Sequence, residues 1–205
     1  FPTRRSSDLS LTLNCFHTCK LDGGKDFIIP RVPFLSSSQE KQWLGKGYYL
    51  WTDSIFFAHE WGKDHYRSNY AINQFEINVP KDQFWDLVGN VDHQLEFIKF
   101  KNNFYCLLDE IVDQATDAKK QSTRKQIQRL KQQGINVSTL FSALRLLNKL
   151  AYKVVKASDI KSKKTESIEF IKDTGGECLL LPTRQQIVVY PESSNMINHI
   201  NWVYP

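Results

Sequence analysis

Hydrophobic and polar positions divide the chain into three stretches. In the first, Ser10 to Phe16 alternates roughly and is rich in leucine, which predicts a strand with His17 at its end. Residues 20–47 carry Gly23-Gly24, Pro30, Pro33 and the run Ser36 to Ser38, a long turn-rich connection. "LGKGYYLWTD" follows as a glycine-punctuated aromatic strand. Asp53 or Ser54 is placed to cap a helix over "IFFAHEWGKDHY", where Phe57, Ala58 and Trp61 fall on one face. "AINQFEINVP" (71–80) alternates imperfectly through Ile72, Phe75, Ile77 and Val79 and reads as a strand ending at Pro80.

From about Asp92 to Lys156 the period changes. Leu95, Phe97 and Ile98, then Leu107, Leu108, Ile111 and Val112, then Leu140, Leu144, Leu147 and Leu150 recur at helical spacing. Three or four helices are expected, one of them the basic stretch 117–134, which stops at Gly134 as a C-cap. β-character returns in "SIEFI" (167–171), a Gly175-Gly176 turn, "CLLLP" (178–182) and "QQIVVYP" (185–191). Strands, then helices, then strands predict one α+β domain over 10–205 with a mainly helical insertion at about 92–160. The first nine residues, "FPTRRSSDL", resemble one reading frame of a common sequencing adapter and are set aside as a scar.

Composition adds bounds. No apolar run approaches the roughly 20 residues a membrane helix needs. No secretory pattern is visible, and four cysteines in 205 residues are too few for a disulfide scaffold. A reducing, cytoplasmic setting is expected. The net charge is +5, and +4 once two arginines and one aspartate of the first nine residues are set aside. That permits an anionic partner without requiring one.

"NCFHTC" (14–19) places His17 between Cys15 and Cys19. On a continuing strand the three share a face but stand about 7 Å apart, too far to converge on one ion. A second His/Cys pair is missing as well, so no metal is expected. In "GKGYYLWTDSIFFAHEWG" (45–62), Tyr49 and Trp61 lie on successive elements. Two such rings either sandwich a flat heteroaromatic ligand or pack as core, and the residues alone leave both open.

"FHTC", "GKGYYL" and "RQQIVVY", in this order, resemble the His–Tyr class of ADP-ribosyltransferases, which includes the diphtheria-type toxins and the poly(ADP-ribose) polymerases. The likeness covers about 10–80 and 165–205. It implies a split β-sheet core and transfer of ADP-ribose from NAD to a macromolecular acceptor with release of nicotinamide, without metal. It further implies that His17 bonds the adenosine ribose and that the Thr18 backbone holds the nicotinamide amide. Gly47 would admit the cofactor, Tyr49 would stack on the nicotinamide, Trp61 would supply a second ring, and Gln186 (or Gln185, one register away) would fill the third motif position. Tyr48 would turn into the core, and Lys46 would face a phosphate or solvent. Two positions depart from the family. Ala58 stands where relatives often have serine. Gln186 stands where they have a glutamate, and glutamine keeps the hydrogen bonds but cannot act as a base. Glu177 and Glu192 are the nearby acids.

Lys119, Lys120, Arg124, Lys125, Arg129 and Lys131 cluster in 117–134, and Lys153, Lys156, Lys161, Lys163 and Lys164 in 153–164. Two basic helices there would suit a nucleic-acid or protein acceptor, or simply form solvated faces. A toxin or phage-defence role follows from the resemblance alone. The alternatives are a catalytically degenerate binding module of the same fold, or a basic helical nucleic-acid-binding protein.

Overall fold

A computed structural model describes residues 9–37, 42–133, 136–159, 166–169 and 178–205. The chain is α+β. A mostly antiparallel sheet is ordered β4 (Phe84–Asp86), β5 (Val154–Asp159), β8 (Arg184–Val189), β2 (Tyr48–Thr52), β1 (Ser10–Lys20), β3 (Tyr70–Pro80) and β9 (Ile197–Tyr204), and a separate hairpin pairs β6 (Glu166–Glu169) with β7 (Cys178–Leu181). β1 (Ser10–Lys20) pairs with β3 (Tyr70–Pro80) from Ser10 opposite Pro80 to Lys20 opposite Tyr70. It therefore runs on past His17, where the sequence pattern ends it. Thr18 and Cys19 are buried against Ile72 and Ala71, so the strand needs no alternation to continue. β9 (Ile197–Tyr204), which the polar-rich "INHINWVY" hides from a periodicity count, closes the edge beside β3.

The other half of the sheet is joined differently. β2 (Tyr48–Thr52) meets β1 only at Cys15–Thr52 and Phe16–Trp51, then turns away to pair with β8 (Arg184–Val189) along Tyr48–Val189 to Trp51–Gln186. The two halves thus part between His17 of β1 and Tyr49 of β2. Gly47, at the mouth of β2, is a glycine because β8 comes so close: a Cβ there would stand 2.4 Å from Val188 Cγ2 and 2.7 Å from the Val189 carbonyl.

Layers cover both faces. α1 (Gly24–Ile28) and the following segment place Ile28, Val32 and Phe34 over Cys19 and Ala71. On the opposite face α2 (Phe56–Tyr66) sets Phe57 and Ala58 on Phe16, Trp51 and Ile72, with Trp61 beside them. Ser54 Oγ, 3.2 Å from the Phe56 N–H, accepts at the start of α2, while Asp53 turns instead to Lys156 at 3.3 Å.

Four helices form the insertion: α3 (Val91–Asn102), α4 (Phe104–Gln114), α5 (Asp117–Gln133) and α6 (Val137–Leu146). Asn90 and Asn136 cap α3 and α6 by accepting the N–H of His93 and Thr139. Their shared core joins Trp85 of β4 (Phe84–Asp86), Phe104, Leu108, Phe141 and Leu144 to Val188 and Tyr190 of the sheet. Burying one such Phe contributes about 2–3 kcal/mol.

The insertion is shorter than its sequence reading. Helix ends at Leu146, and Val154–Asp159 is a strand, β5, lying parallel to β4 and antiparallel to β8. A second basic helix over 153–164 is therefore corrected. Val154, Val155 and Ala157 are buried in the sheet, and the paired β-branched residues prefer the pleat. Gly134, Gly175, Gly176, Glu177, Lys161, Lys163 and Lys164 lie outside the described residues. No helix among the described residues is long and apolar enough to cross a membrane.

Candidate functional site

The singled-out residues lie on both faces of the sheet near its parting. His17 bridges it. Its Nδ1 lies 3.0 Å from the carbonyl oxygen of Tyr49, and its Nε2 lies 3.3 Å from the backbone nitrogen of Phe34. Phe34 has only an N–H to give, so Nε2 is the acceptor and the ring proton sits on Nδ1, donating to Tyr49. Burial lowers the His17 pKa, and the bond to the Tyr49 carbonyl opposes that shift. The ring is neutral, and both nitrogens are engaged.

Strand alternation sorts the rest. Trp51, Tyr49 and Gln186 share the face of Phe16, whereas His17 points to the other face with Cys15, Leu50 and Phe75. Its ring centroid is 6.5 Å from that of Phe75 and 6.1 Å from that of Phe34. Tyr48, as expected from alternation, packs on the Leu50 side. The Tyr49 hydroxyl accepts from the Leu44 N–H at 2.9 Å and donates to the Gly45 carbonyl at 2.8 Å. Burial raises its pKa, partly offset by the Leu44 bond. Gln186 is half-buried, and its Oε1 accepts from the Trp43 indole at 2.8 Å.

Trp61 meets this group through Trp51, which stands opposite Gln186 in register, with ring centroids 5.8 Å apart. The other side of Trp61 stacks on His65 at 3.6 Å. Thr18 is fixed by its hydroxyl, which donates to the Ala58 carbonyl at 2.8 Å and so ties α2 to β1. Lys46 is exposed, and its carbonyl accepts from Arg145 at 2.9 Å. Gln185 turns to the opposite face from Gln186, donates to Thr183 at 2.8 Å, and has a buried Oε1 with no partner among the described residues. Glu192 is paired with Arg145 at 3.0 Å.

One connection touches all three motif positions: Phe34 engages His17, Leu44 and Gly45 engage Tyr49, and Trp43 engages Gln186. Neither Phe34, Trp43 nor Trp51 stood out in the sequence. The signal for Trp51 was available, two residues beyond Tyr49 on the same face of the strand. Nothing in the spacing marks Phe34 or Trp43, whose roles depend on how a turn-rich segment folds back.

Cys15 and Cys19 flank His17 as buried thiols, each pushed up to about 12, chiefly by burial. They are held protonated and pack as small apolar residues. Among the described residues, no group of three or more His, Cys, Asp and Glu side chains is placed to hold a metal ion. Asn73, opposite His17 on β3, accepts from His199 at 3.0 Å, while its buried Nδ2 has no partner among the described residues. A depression of about 500 Å³ beside α2 is lined by Phe56, His59, Tyr70 and Tyr204 among others, and includes none of the motif residues. Compared with known proteins, the chain matches no family model, no curated protein and no solved structure.

Proposed function

We propose that the protein is a glycosyltransferase of the His–Tyr ADP-ribosyltransferase class, which moves ADP-ribose from NAD to a macromolecular acceptor and releases nicotinamide. The observation that carries this reading is the parting of β1 from β2, with His17 bridging it to Tyr49 and with Trp51, Trp61 and Gln186 around the adjoining strand ends. Such a split suits a dinucleotide lying between two half-sheets. Tyr49 is the ring this reading sets against the nicotinamide; Trp51 is buried beside Phe57 and Trp61 is stacked on His65, so a second ring is supplied only if Trp61 leaves His65, and Gln186 is the group set toward a ribose hydroxyl. The bond from nicotinamide nitrogen to ribose C1′ breaks with its electron pair leaving on nicotinamide. The acceptor nucleophile then bonds C1′, and its proton passes to solvent or to a base on the acceptor, since the Gln186 amide cannot take it. Positioning supplies the protein's share of the barrier lowering. Entry of NAD requires Phe34 to leave His17 and Trp43 to leave Gln186. Calorimetric titration of the full chain with NAD, followed by a nicotinamide-release assay with protein, RNA and DNA acceptors, tests the reading. Absence of any NAD binding by the folded chain would sink it.

A second reading keeps the fold and drops the chemistry: a binding module with a degenerate site. Its support is that the Gln186 carbonyl and the Tyr49 hydroxyl are both satisfied from within the chain. Gln186→Glu separates the two. Transfer gained by the glutamate favours the degenerate module, and transfer lost from an active wild type favours the enzyme.

A further inference from the structure

The structure assigns the outer face of α3 to a two-fold contact with a second copy of this chain. Val91, Leu95 and Ile98 recur at i, i+4 and i+7 and are 66%, 58% and 48% exposed, a single apolar stripe on an otherwise solvated helix side. The opposite side is committed to the core: Phe97 and Phe100 meet Trp85 at 5.9 and 6.0 Å, and Glu96 accepts from the Tyr152 hydroxyl at 2.7 Å. The stripe is therefore surplus to this chain's own packing.

Its spacing alternates by four and three, the repeat of a helix–helix seam. The flanking charges decide the occupant. Asp92 borders the stripe at its N-terminal end, and Lys99, seven residues on, borders the same side at the other end. Neither has an ion-pair partner among the described residues. In an antiparallel two-fold pair centred on Leu95, Val91 of each copy meets Ile98 of the other. Asp92 of each copy then meets Lys99 of the other, twice, by symmetry. A parallel pair would instead face the Asp92–Lys99 flank of each copy with the Gln94–Lys101 flank of the other, leaving Asp92 without a cation opposite and setting Lys99 near Lys101. The pattern is thus self-complementary in one orientation only, which selects a second copy over an unrelated apolar partner. Three apolar side chains with two flanking charges are few beside the roughly 20–30 residues a side of a standard interface, so the pairing is weak and concentration-dependent.

Sedimentation equilibrium of the full chain tests this between about 1 µM and 1 mM. Wild type is expected to approach a dimer. Asp92→Lys and Lys99→Asp, each alone, place like charges across the seam and are expected to weaken self-association about tenfold or more. Mixed in equal amounts, they restore opposite charges at both contacts and associate with each other. Both positions are exposed, so circular dichroism is expected to be unchanged. A wild type that stays monomeric throughout, a dimer indifferent to both single changes, or a mixture no tighter than its components overturns the proposal.

Discussion

The half-sheet that carries His17 and the half that carries Gln186 hold together by different means. β1 and β3 form an unbroken ladder from Ser10 to Lys20, with β9 paired to β3 across two register shifts, and the buried faces include polar groups: His17, Thr18 and Asn73. β2, β8, β5 and β4 have short ladders and take their order from the aromatic layer of Trp85, Phe104 and Phe141 laid over Val188 and Tyr190. Where the two meet, backbone pairing stops after two positions and side chains take over. The comparison teaches that the seam is a polar construction. A break in a ladder leaves amides and carbonyls to be satisfied, and here an imidazole and a phenol take backbone groups while an indole takes the Gln186 side chain.

That contrast breaks first at His17. His17→Ala removes the partners of the Tyr49 carbonyl and the Phe34 N–H and leaves a cavity in buried surroundings, a loss of about 3 kcal/mol in urea unfolding. A loss below about 1 kcal/mol would mean that the seam does not depend on the imidazole. Tyr49→Phe comes next. It keeps the ring but orphans the Leu44 N–H and the Gly45 carbonyl, and about 1–2 kcal/mol is expected. If Tyr49→Phe proves as stable as wild type, water replaces the hydroxyl and the connection is not anchored there.

Much of the strand core was legible because its signals are local. Val79, Ile77 and Phe75 alternate, and "GKGYYL" marks a strand, although what comes close to Gly47 is β8, where the glycine pattern suggested a ligand. Three or four helices were legible: α3, α4 and α6 from their period, and α5 from its long basic run. β5 was misread because Lys153, Lys156 and the lysines beyond them drown the Val154-Val155 pair in charge, and only the groove between β4 and β8 makes it a strand. For the candidate site, the motifs single out His17, Tyr49 and Gln186. That His17 faces away from the other two, and reaches Tyr49 by its carbonyl, depends on register, which no single segment encodes.

Acid sharpens the comparison without any substitution. The folded-state pKa of His17 is depressed below its ordinary 6.5, so the neutral ring stabilises the fold fully above about 6.5. As pH falls below that value the unfolded chain takes up the proton first, and stability declines until the folded pKa is passed. His59 and His199 are shifted in the same direction by burial, so the diagnostic is a difference. The fall in urea midpoint between about pH 7.5 and 5 is expected to be smaller in His17→Gln than in wild type. Protonation abolishes the Nε2 acceptor but leaves the bond to Tyr49, so the effect stays below that of His17→Ala. Equal slopes would show that the other histidines carry the acid sensitivity.

The smallest effect lies on the Gln186 side. Trp43→Phe keeps a ring but removes the indole N–H from Oε1 of a half-buried glutamine that water can reach, so only about 0.5–1 kcal/mol of stability is expected to go. Its use is in the sign of a second measurement. If the indole is a latch that NAD must displace, weakening it by about 1 kcal/mol tightens NAD binding by up to roughly fivefold, because less of the chain's own contact has to be undone. If NAD binds less tightly in Trp43→Phe, the indole is part of the ligand's own site, and the connection then closes over NAD instead of competing with it. His17→Ala cannot make this distinction, since it disturbs the fold and the site together. Trp43→Phe can, because the half-sheet carrying Gln186 is ordered by its helical layer and not by the seam.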